Sequence, residues 1–316
     1  MIFCIGETVL DIIFRGDQPL AAIPGGSMLN TAVSLGRVAI PVQFISDFGN
    51  DHAGDIIQDF LLQNGVSTEY ISRYNNGKTA LALAFLDSHK DAEYSFYKIF
   101  PEERLTAPLP IPQSGDIVLF GSFYALTGPV RSKLIDFVAG AKSNGAFIIY
   151  DPNFRSAHLS ELETLKPWIL ENICMADLVR GSDEDFRNIF GASDSKQAFQ
   201  HVKKAGCPLL VYTKNSEGVE VVSDGYTQFF VTPHIHVLST IGAGDAFNAG
   251  IICGLTTLTG FSTLTGSSTL TGSSTLTGSD LDQLIEYGIL FSSNVCQSMD
   301  NYVSHDFAAT LIIKSP

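Results

Sequence analysis

The chain has 316 residues, 45% of them hydrophobic and 16% charged, with a mean hydropathy of +0.18 and a formal net charge of −14. That length and composition suffice for a large α/β core, while the acidic balance without any Lys/Arg cluster excludes a nucleic-acid surface, which sets clustered cations against phosphate. No apolar run approaches the roughly 18 residues of a membrane span, and Met1 leads straight into a strand without a basic leader, so a cytoplasmic protein without membrane contact is expected.

The apolar run Phe3-Cys4-Ile5 ends at Gly6-Glu7, as a buried strand does. A helix over 29–38 follows Gly25-Gly26, then a strand over 42–45. Asp51 next caps a helix whose Ile56, Ile57, Phe60 and Leu61 share a face before Gly65 ends it. A strand at 116–120, a helix at 129–141 and a strand at 146–150 continue the pattern. Helices at 160–172 and 194–205 then alternate with strands at 177–179 and 209–213. This alternation predicts an α/β fold, a mostly parallel sheet with helices on both faces.

Two stretches break the alternation. Residues 12–23, and 79–86 with 93–98, have strand character with no helix between the last two. They predict a small antiparallel lid, inserted from about 12–24 and 74–105 into one α/β domain spanning 1–316, over the carboxyl ends of the parallel strands where ligands bind. A plain excursion at the sheet edge is the alternative. Thr-Leu-Thr-Gly recurs at 257, 263, 269 and 275 without a charge. A loop lengthened by repeat expansion accounts for this better than a solenoid does. Ser279 with Asp282 approximates a capping box for the last long helix, 281–296. The five cysteines are scattered and never spaced Cys-x-x-Cys, which predicts buried free thiols.

Residues 239–250 read Ser-Thr-Ile-Gly-Ala-Gly-Asp-Ala-Phe-Asn-Ala-Gly. Gly242, Ala243 and Gly244 would leave backbone N–H groups uncovered at a helix N-terminus, where the macrodipole favours an anion. Asp245 would sit in the first turn, placed to take a proton from a hydroxyl that attacks that anion. A glycine-rich turn with an ordinary helix-start acid is the plainer reading of the same residues. Gly77-Lys78-Thr79 does not complete a P-loop, because Ser72 stands where the upstream glycine belongs, and Phe247 occupies the third glycine position of a dinucleotide fingerprint. His234 and His236 have no third ligand and read as a surface strand.

Five segments carry more together than apart: Gly6-Glu7-x-x-x-Asp11; Gly25-Gly26-x-x-x-Asn30-x-Ala32 leading to Leu35-Gly36; Gly49-x-Asp51-x-x-Gly54; Asp151-Pro152-Asn153-Phe154-Arg155; and Thr240-x-Gly242-Ala243-Gly244-Asp245-Ala246-Phe247. In this order they resemble the ribokinase-like (PfkB) carbohydrate kinases, and the first and fourth resemble the fructokinase-like branch. The resemblance implies ATP-dependent phosphorylation of a primary hydroxyl of a small sugar. By similarity Asp245 is the general base, and the 242–244 amides hold the charge on the transferred group. Asp11, Gly25, Gly26 and Asn30 meet the sugar, joined by Lys98, which replaces a common lid arginine, and by Arg155. On their own, Asp11 also fits a turn cap, Asn30 a helix start and Arg155 a surface position.

The resemblance further places Thr213, Asn215 and Gly218 near ATP, and Asn294 beside adenine. The usual Asn-x-x-Glu that organises Mg2+ is similar here to Ser182-x-x-Asp185, which makes Asp185 the implied magnesium residue. Ser239 stands where the family has aspartate near a monovalent-cation loop, and Ser298-Met299-Asp300-Asn301 replaces its Gly-Ala ending, so K+ is left open. A homodimer through the lid is implied as well. The alternatives are a nucleoside or 2-keto-3-deoxysugar kinase on the same fold, or a sugar-binding regulatory protein with weak turnover.

Overall fold

Ile2 and Cys4 of the first strand, β1 (Ile2–Ile5), point into one apolar cluster, while Phe3 and Ile5 point into another. A strand buried on both faces belongs at the centre of a parallel sheet covered on both sides. The computed structural model describes residues 1–86, 92–258 and 276–312. From β1 the chain runs through β2 (Val9–Arg15) and β3 (Gln18–Gly25) into α1 (Ser27–Arg37), β4 (Val42–Gly49) and α2 (His52–Gln63). The short strands β5 (Val66–Ser67) and β6 (Ile71–Tyr74) then pair in parallel with β4. The Asp51 side chain caps α2 by accepting from Gly54 N–H, as its sequence position predicts.

Strands β7 (Lys78–Leu86) and β8 (Ala92–Ile99) join the second and third strands in a separate four-stranded sheet of order β3-β2-β7-β8. This sheet is mixed rather than antiparallel throughout: β2 pairs with β7 in parallel, and the other two pairs are antiparallel. The chain between β2 and β7 crosses the main body through α1, β4 and α2, so it returns in the same direction instead of turning back as a hairpin.

The second half continues with β9 (Ile117–Gly121), α3 (Gly128–Ser143), β10 (Phe147–Asp151), α4 (Leu162–Met175), β11 (Leu178–Ser182), α5 (Asp183–Phe190), α6 (Ser195–Ala205) and β12 (Leu209–Thr213). After these come β13 (Val219–Ser223), β14 (Tyr226–Phe230), α7 (Ala243–Thr257), α8 (Gly278–Cys296) and α9 (His305–Ile312). The main sheet has the order β14-β13-β12-β11-β10-β9-β1-β4-β5, parallel from β12 to β5, with β13 and β14 antiparallel at one edge. Helices α1, α2, α7 and α8 pack on one face and α3 to α6 on the other. From β1 the chain winds one way to β4 and later the other way from β9, so the strand order reverses at β1/β9. A crevice at such a reversal is the usual ligand site.

Several local readings change. The last long helix is capped by Thr277 and Asp280, not Ser279 and Asp282: Thr277 Oγ1 accepts from Asp280 N–H while Asp280 accepts from Thr277 N–H, two residues earlier than expected. His234 and His236 lie in a stretch without a ladder. Cys174 is exposed, whereas Cys4, Cys207 and Cys253 are buried, and all five thiols are free. Most of the Thr-Leu-Thr-Gly repeat, residues 259–275, lies outside the described residues. Among the described residues no helix is long and apolar enough to cross a membrane.

Candidate active site

Gly242 opens α7 with φ +78°, and a Cβ there would stand 2.3 Å from the Asn301 carbonyl oxygen, so backbone angle and packing both demand glycine. The three expected amides do not behave alike. Ala243 N–H donates to Thr240 O in the turn that precedes the helix. Among the described residues Gly242, Gly244 and Asp245 have no acceptor for theirs. The amides left unbonded at this helix start are therefore those of Gly242, Gly244 and Asp245, with Asp245 in place of Ala243.

The Asp245 carboxylate is held from α1. Ser27 Oγ donates to Oδ1 at 2.6 Å and Asn30 Nδ2 to Oδ2 at 2.8 Å, the two donors lying three residues apart on one helix face. Thr31 Oγ1 donates to the Asp245 carbonyl at 2.9 Å. Burial pushes the Asp245 carboxyl above the ordinary carboxylate range, and nearby Asp151 adds to the rise. The bonds from Ser27 and Asn30, together with the Arg180 charge, act against it.

Behind Asp245 lies a buried polar hub. Asp151 ends β10 and accepts from Arg180 Nη1 at 3.0 Å, Asn248 Nδ2 at 2.6 Å and Asn153 N–H at 3.0 Å. Arg180 also donates to Thr213 Oγ1 at 3.0 Å, and its guanidinium lies against Gly244. Two non-glycine residues with left-handed backbone, Ser122 (φ +55°) and Asn153 (φ +38°), follow the ends of β9 and β10 beside this hub. Such backbone angles collect at functional sites.

On the other side, β2 brings in Asp11, whose carboxyl is raised to about 6 by burial and which no donor among the described residues reaches. Gly25 ends β3 opposite Val9 and beside the Asp11 carboxylate. At Gly26 φ is +132°, and the Glu7 carbonyl lies 2.3 Å from where a Cβ would stand. Asn30 Oδ1 is buried and unpartnered. Register places Asp11 and Phe96 opposite Ala82, so Asp11, Phe96 and Lys98 share one face of the four-stranded sheet. Lys98 Nζ donates to Glu7 at 2.9 Å, and Arg104 Nη1 donates to the other Glu7 oxygen at 3.1 Å. Arg104 is wholly buried. It grips Asp47 with two bonds of 2.8 Å, lies 3.8 Å from the Phe100 ring centroid, and shares Asp47 with the Tyr124 hydroxyl.

The remaining predicted residues are dispersed around the carboxyl edge. Arg155 is exposed at the start of the 156–161 turn. Thr213 ends β12 with its hydroxyl engaged by Arg180, and Asn215 (φ +47°) and buried Gly218 form the following turn. Asn294 uses both ends of its amide on Ser304, fixing the start of α9. Asp185 is buried as the N3 residue of the α5 capping box, with Oδ2 accepting from Ser182 N–H and Oγ and Oδ1 from Phe154 N–H. Burial first, then Asp151, raises its pKa. Ser239 Oγ accepts from Ile241 N–H.

Sequence reasoning missed Ser27, Arg180 and the Arg104–Asp47 pair. Ser27 stands three residues before Asn30, a spacing that puts both on one helix face. Arg180 is a lone charge in a buried strand, and buried charges need partners.

Unbonded amides at a helix N-terminus and a buried carboxylate stand side by side at the carboxyl edge of a doubly wound sheet, the usual place of an enzyme's site. Residues 1–305 match the pfkB family of carbohydrate kinases, and the chain belongs to that family, in its fructokinase-like branch. Fructokinase of Escherichia coli is 28% identical over 260 residues, 81% of this chain and 84% of that protein. Two solved structures share the fold. Fructokinase from Vibrio cholerae O395, bound to fructose, ADP and calcium, superposes with a TM-score of 0.82 at 21% identity over 98% of both chains. Aminoimidazole riboside kinase from Salmonella enterica, complexed with aminoimidazole riboside and an ATP analogue, superposes with a TM-score of 0.80 at 18% identity over 98% of this chain and 99% of that one.

Proposed function

We propose that the protein transfers the γ-phosphoryl group of ATP to a primary hydroxyl of a small sugar, with Asp245 as the general base. The observation that carries this reading is the Asp245 carboxylate, gripped by Ser27 and Asn30 beside the free amides of Gly242, Gly244 and its own residue. As the sugar oxygen bonds to phosphorus, its proton passes to Asp245, the bond from phosphorus to the bridging oxygen breaks, and ADP leaves with that electron pair. The free amides stabilise charge on the phosphoryl oxygens in that transition state. The unpartnered Asn30 Oδ1 and the unbonded Asp11 carboxylate accept from sugar hydroxyls, and Phe96 and Lys98 cover the sugar from the four-stranded sheet, which serves as its lid.

Arg155, the 213–218 turn and Asn294 border the nucleotide in this reading. Magnesium neutralises phosphate charge when it is bound. Asp185 fits as a holder of metal-bound water rather than as a direct ligand, because protein donors already engage both of its oxygens. Phe14 and Phe85 stack at 5.0 Å on the lid face opposite Asp11, and they support self-association of two chains through that sheet.

An ADP-release assay over hexoses, 2-keto-3-deoxysugars and nucleosides, with magnesium and with or without potassium, tests the reading. A ketohexose or other small sugar should give the highest kcat/KM. A nucleoside in first place would move the reading to a nucleoside kinase, and no turnover on any of them would remove the enzyme assignment.

A further inference from the structure

We propose that Ser27 is a positioning residue for the reaction, its hydroxyl locking the Asp245 carboxylate in the orientation that takes the proton of the attacking hydroxyl. The inference rests on Asp245 being the base. Ser27 opens α1 directly after Gly26, whose backbone is pinned against the Glu7 carbonyl. The helix is in turn fixed to α7 by the Thr31 bond to the Asp245 carbonyl, and to the C-terminal segment by Ser34, which accepts from Val303 N–H. The Ser27 oxygen is thereby fixed from three directions. At 2.6 Å its bond to Oδ1 is short, as charge-assisted O–H bonds are.

The two donors to Asp245 divide the work. Asn30 gives Nδ2 to Asp245 and keeps a buried, unpartnered Oδ1 for a ligand, so it serves both base and substrate. Ser27 serves the base alone. Each carboxylate oxygen retains a second lone pair for an incoming proton. The charged groups that face Asp245 from the packed strands are Asp151 and Arg180, and they pull its titration in opposite directions. Direct donation to the ionised form comes from Ser27 and Asn30, so removing Ser27 leaves burial and Asp151 less opposed and moves the proton affinity upward.

The test is Ser27→Ala beside Ser27→Thr, measured as full pH profiles of kcat and of the sugar KM. In the alanine variant the acid limb of kcat should move up by about one pH unit, equivalent to about a tenfold loss on the acid side, while KM changes less than about twofold. Threonine, which keeps the hydroxyl, should restore the limb. In an Asp245→Asn background the alanine change should add no further loss of rate. A carboxyl 13C titration of Asp245 in sugar-free protein should show the same upward move without reference to turnover. An unmoved midpoint, or a loss equal at every pH and repeated in the Asp245→Asn background, would overturn the proposal. A wild-type protein inactive on every sugar would instead sink the kinase reading, with the titration still deciding the role of Ser27.

Discussion

Behind Asp245 the polar groups are buried and shared: one carboxylate, Asp151, takes bonds from Arg180, Asn248 and Asn153, and Arg180 goes on to Thr213. The four-stranded sheet is tied to the body at its margins instead. Thr79 donates from its N–H and its hydroxyl to Asp51, and Lys98 donates to Glu7. Its strand β8 leaves Phe96, Tyr97 and Ile99 about 60% exposed (60%, 58% and 62%). The contrast separates two tasks. In the proposed reaction the groups around the base are fixed by many mutual bonds, since a small displacement there would be costly, while the sheet proposed to cover the sugar is attached by a few exchangeable bonds.

The sharpest way to break this contrast lies in the fixed half. Asp245→Asn keeps shape and loses the proton acceptor, so turnover should fall 10²–10⁴-fold, the usual cost of removing a general base, with sugar binding retained by calorimetry. Near wild-type turnover would remove Asp245 from the chemistry. Asp151→Ala leaves the Arg180 guanidinium buried without its carboxylate and should cost about 3–5 kcal/mol in urea unfolding. By comparison Thr79→Val, which removes one bond to Asp51 at the sheet's margin, should cost only about 1 kcal/mol. Equal costs for the two variants would mean that the halves are not built differently.

Asp11 joins the halves, and its titration supplies a pH test. Its folded pKa, about 6, lies above its ordinary value of 3.8 because burial disfavours the charged form. As pH rises through 6 the fold therefore loses stability to this group, while the ionised carboxylate gains its use as an acceptor. The sugar KM should rise several-fold as pH falls below about 6. Asp11→Asn should remove that inflection, raise the melting temperature at pH 7 and leave it unchanged near pH 3, where both forms are protonated. A flat KM profile in the wild type would contradict the assignment of Asp11 to the sugar.

The smallest effects belong to the exposed faces of the sheet. Phe96→Asp, on the Asp11 side, should raise the sugar KM and leave the oligomeric state alone. Phe85→Asp, on the opposite side, should weaken self-association in sedimentation at micromolar concentration and leave KM near the wild type. A reversal of these outcomes would exchange the two faces.

The β-α alternation, the Asp51 cap and the two inserted strand stretches were legible in the sequence because each is a local pattern of period or capping chemistry. The parallel pairing of β2 with β7 was not, since direction depends on a path through the body that no local window contains. At the site, glycines and Asp245 announce themselves by spacing. Ser27 does not, because its use depends on α1 lying against α7, and neither does the Arg104–Asp47 pair, whose members are 57 residues apart. At Asp185 the resemblance implied a magnesium residue, and what the motif did not disclose is that the capping box with Ser182 and the Phe154 N–H already engage both carboxylate oxygens.

Whether a sugar's primary hydroxyl becomes a phosphate ester at this site is read from the product by proton-coupled 31P NMR. With ATP, magnesium and the best sugar, a new phosphomonoester signal split by two methylene protons should appear, and it should be absent with Asp245→Asn. ADP formed with only inorganic phosphate, a phosphorus signal coupled to a single methine proton, or an undiminished product signal from Asp245→Asn would contradict the proposed reaction.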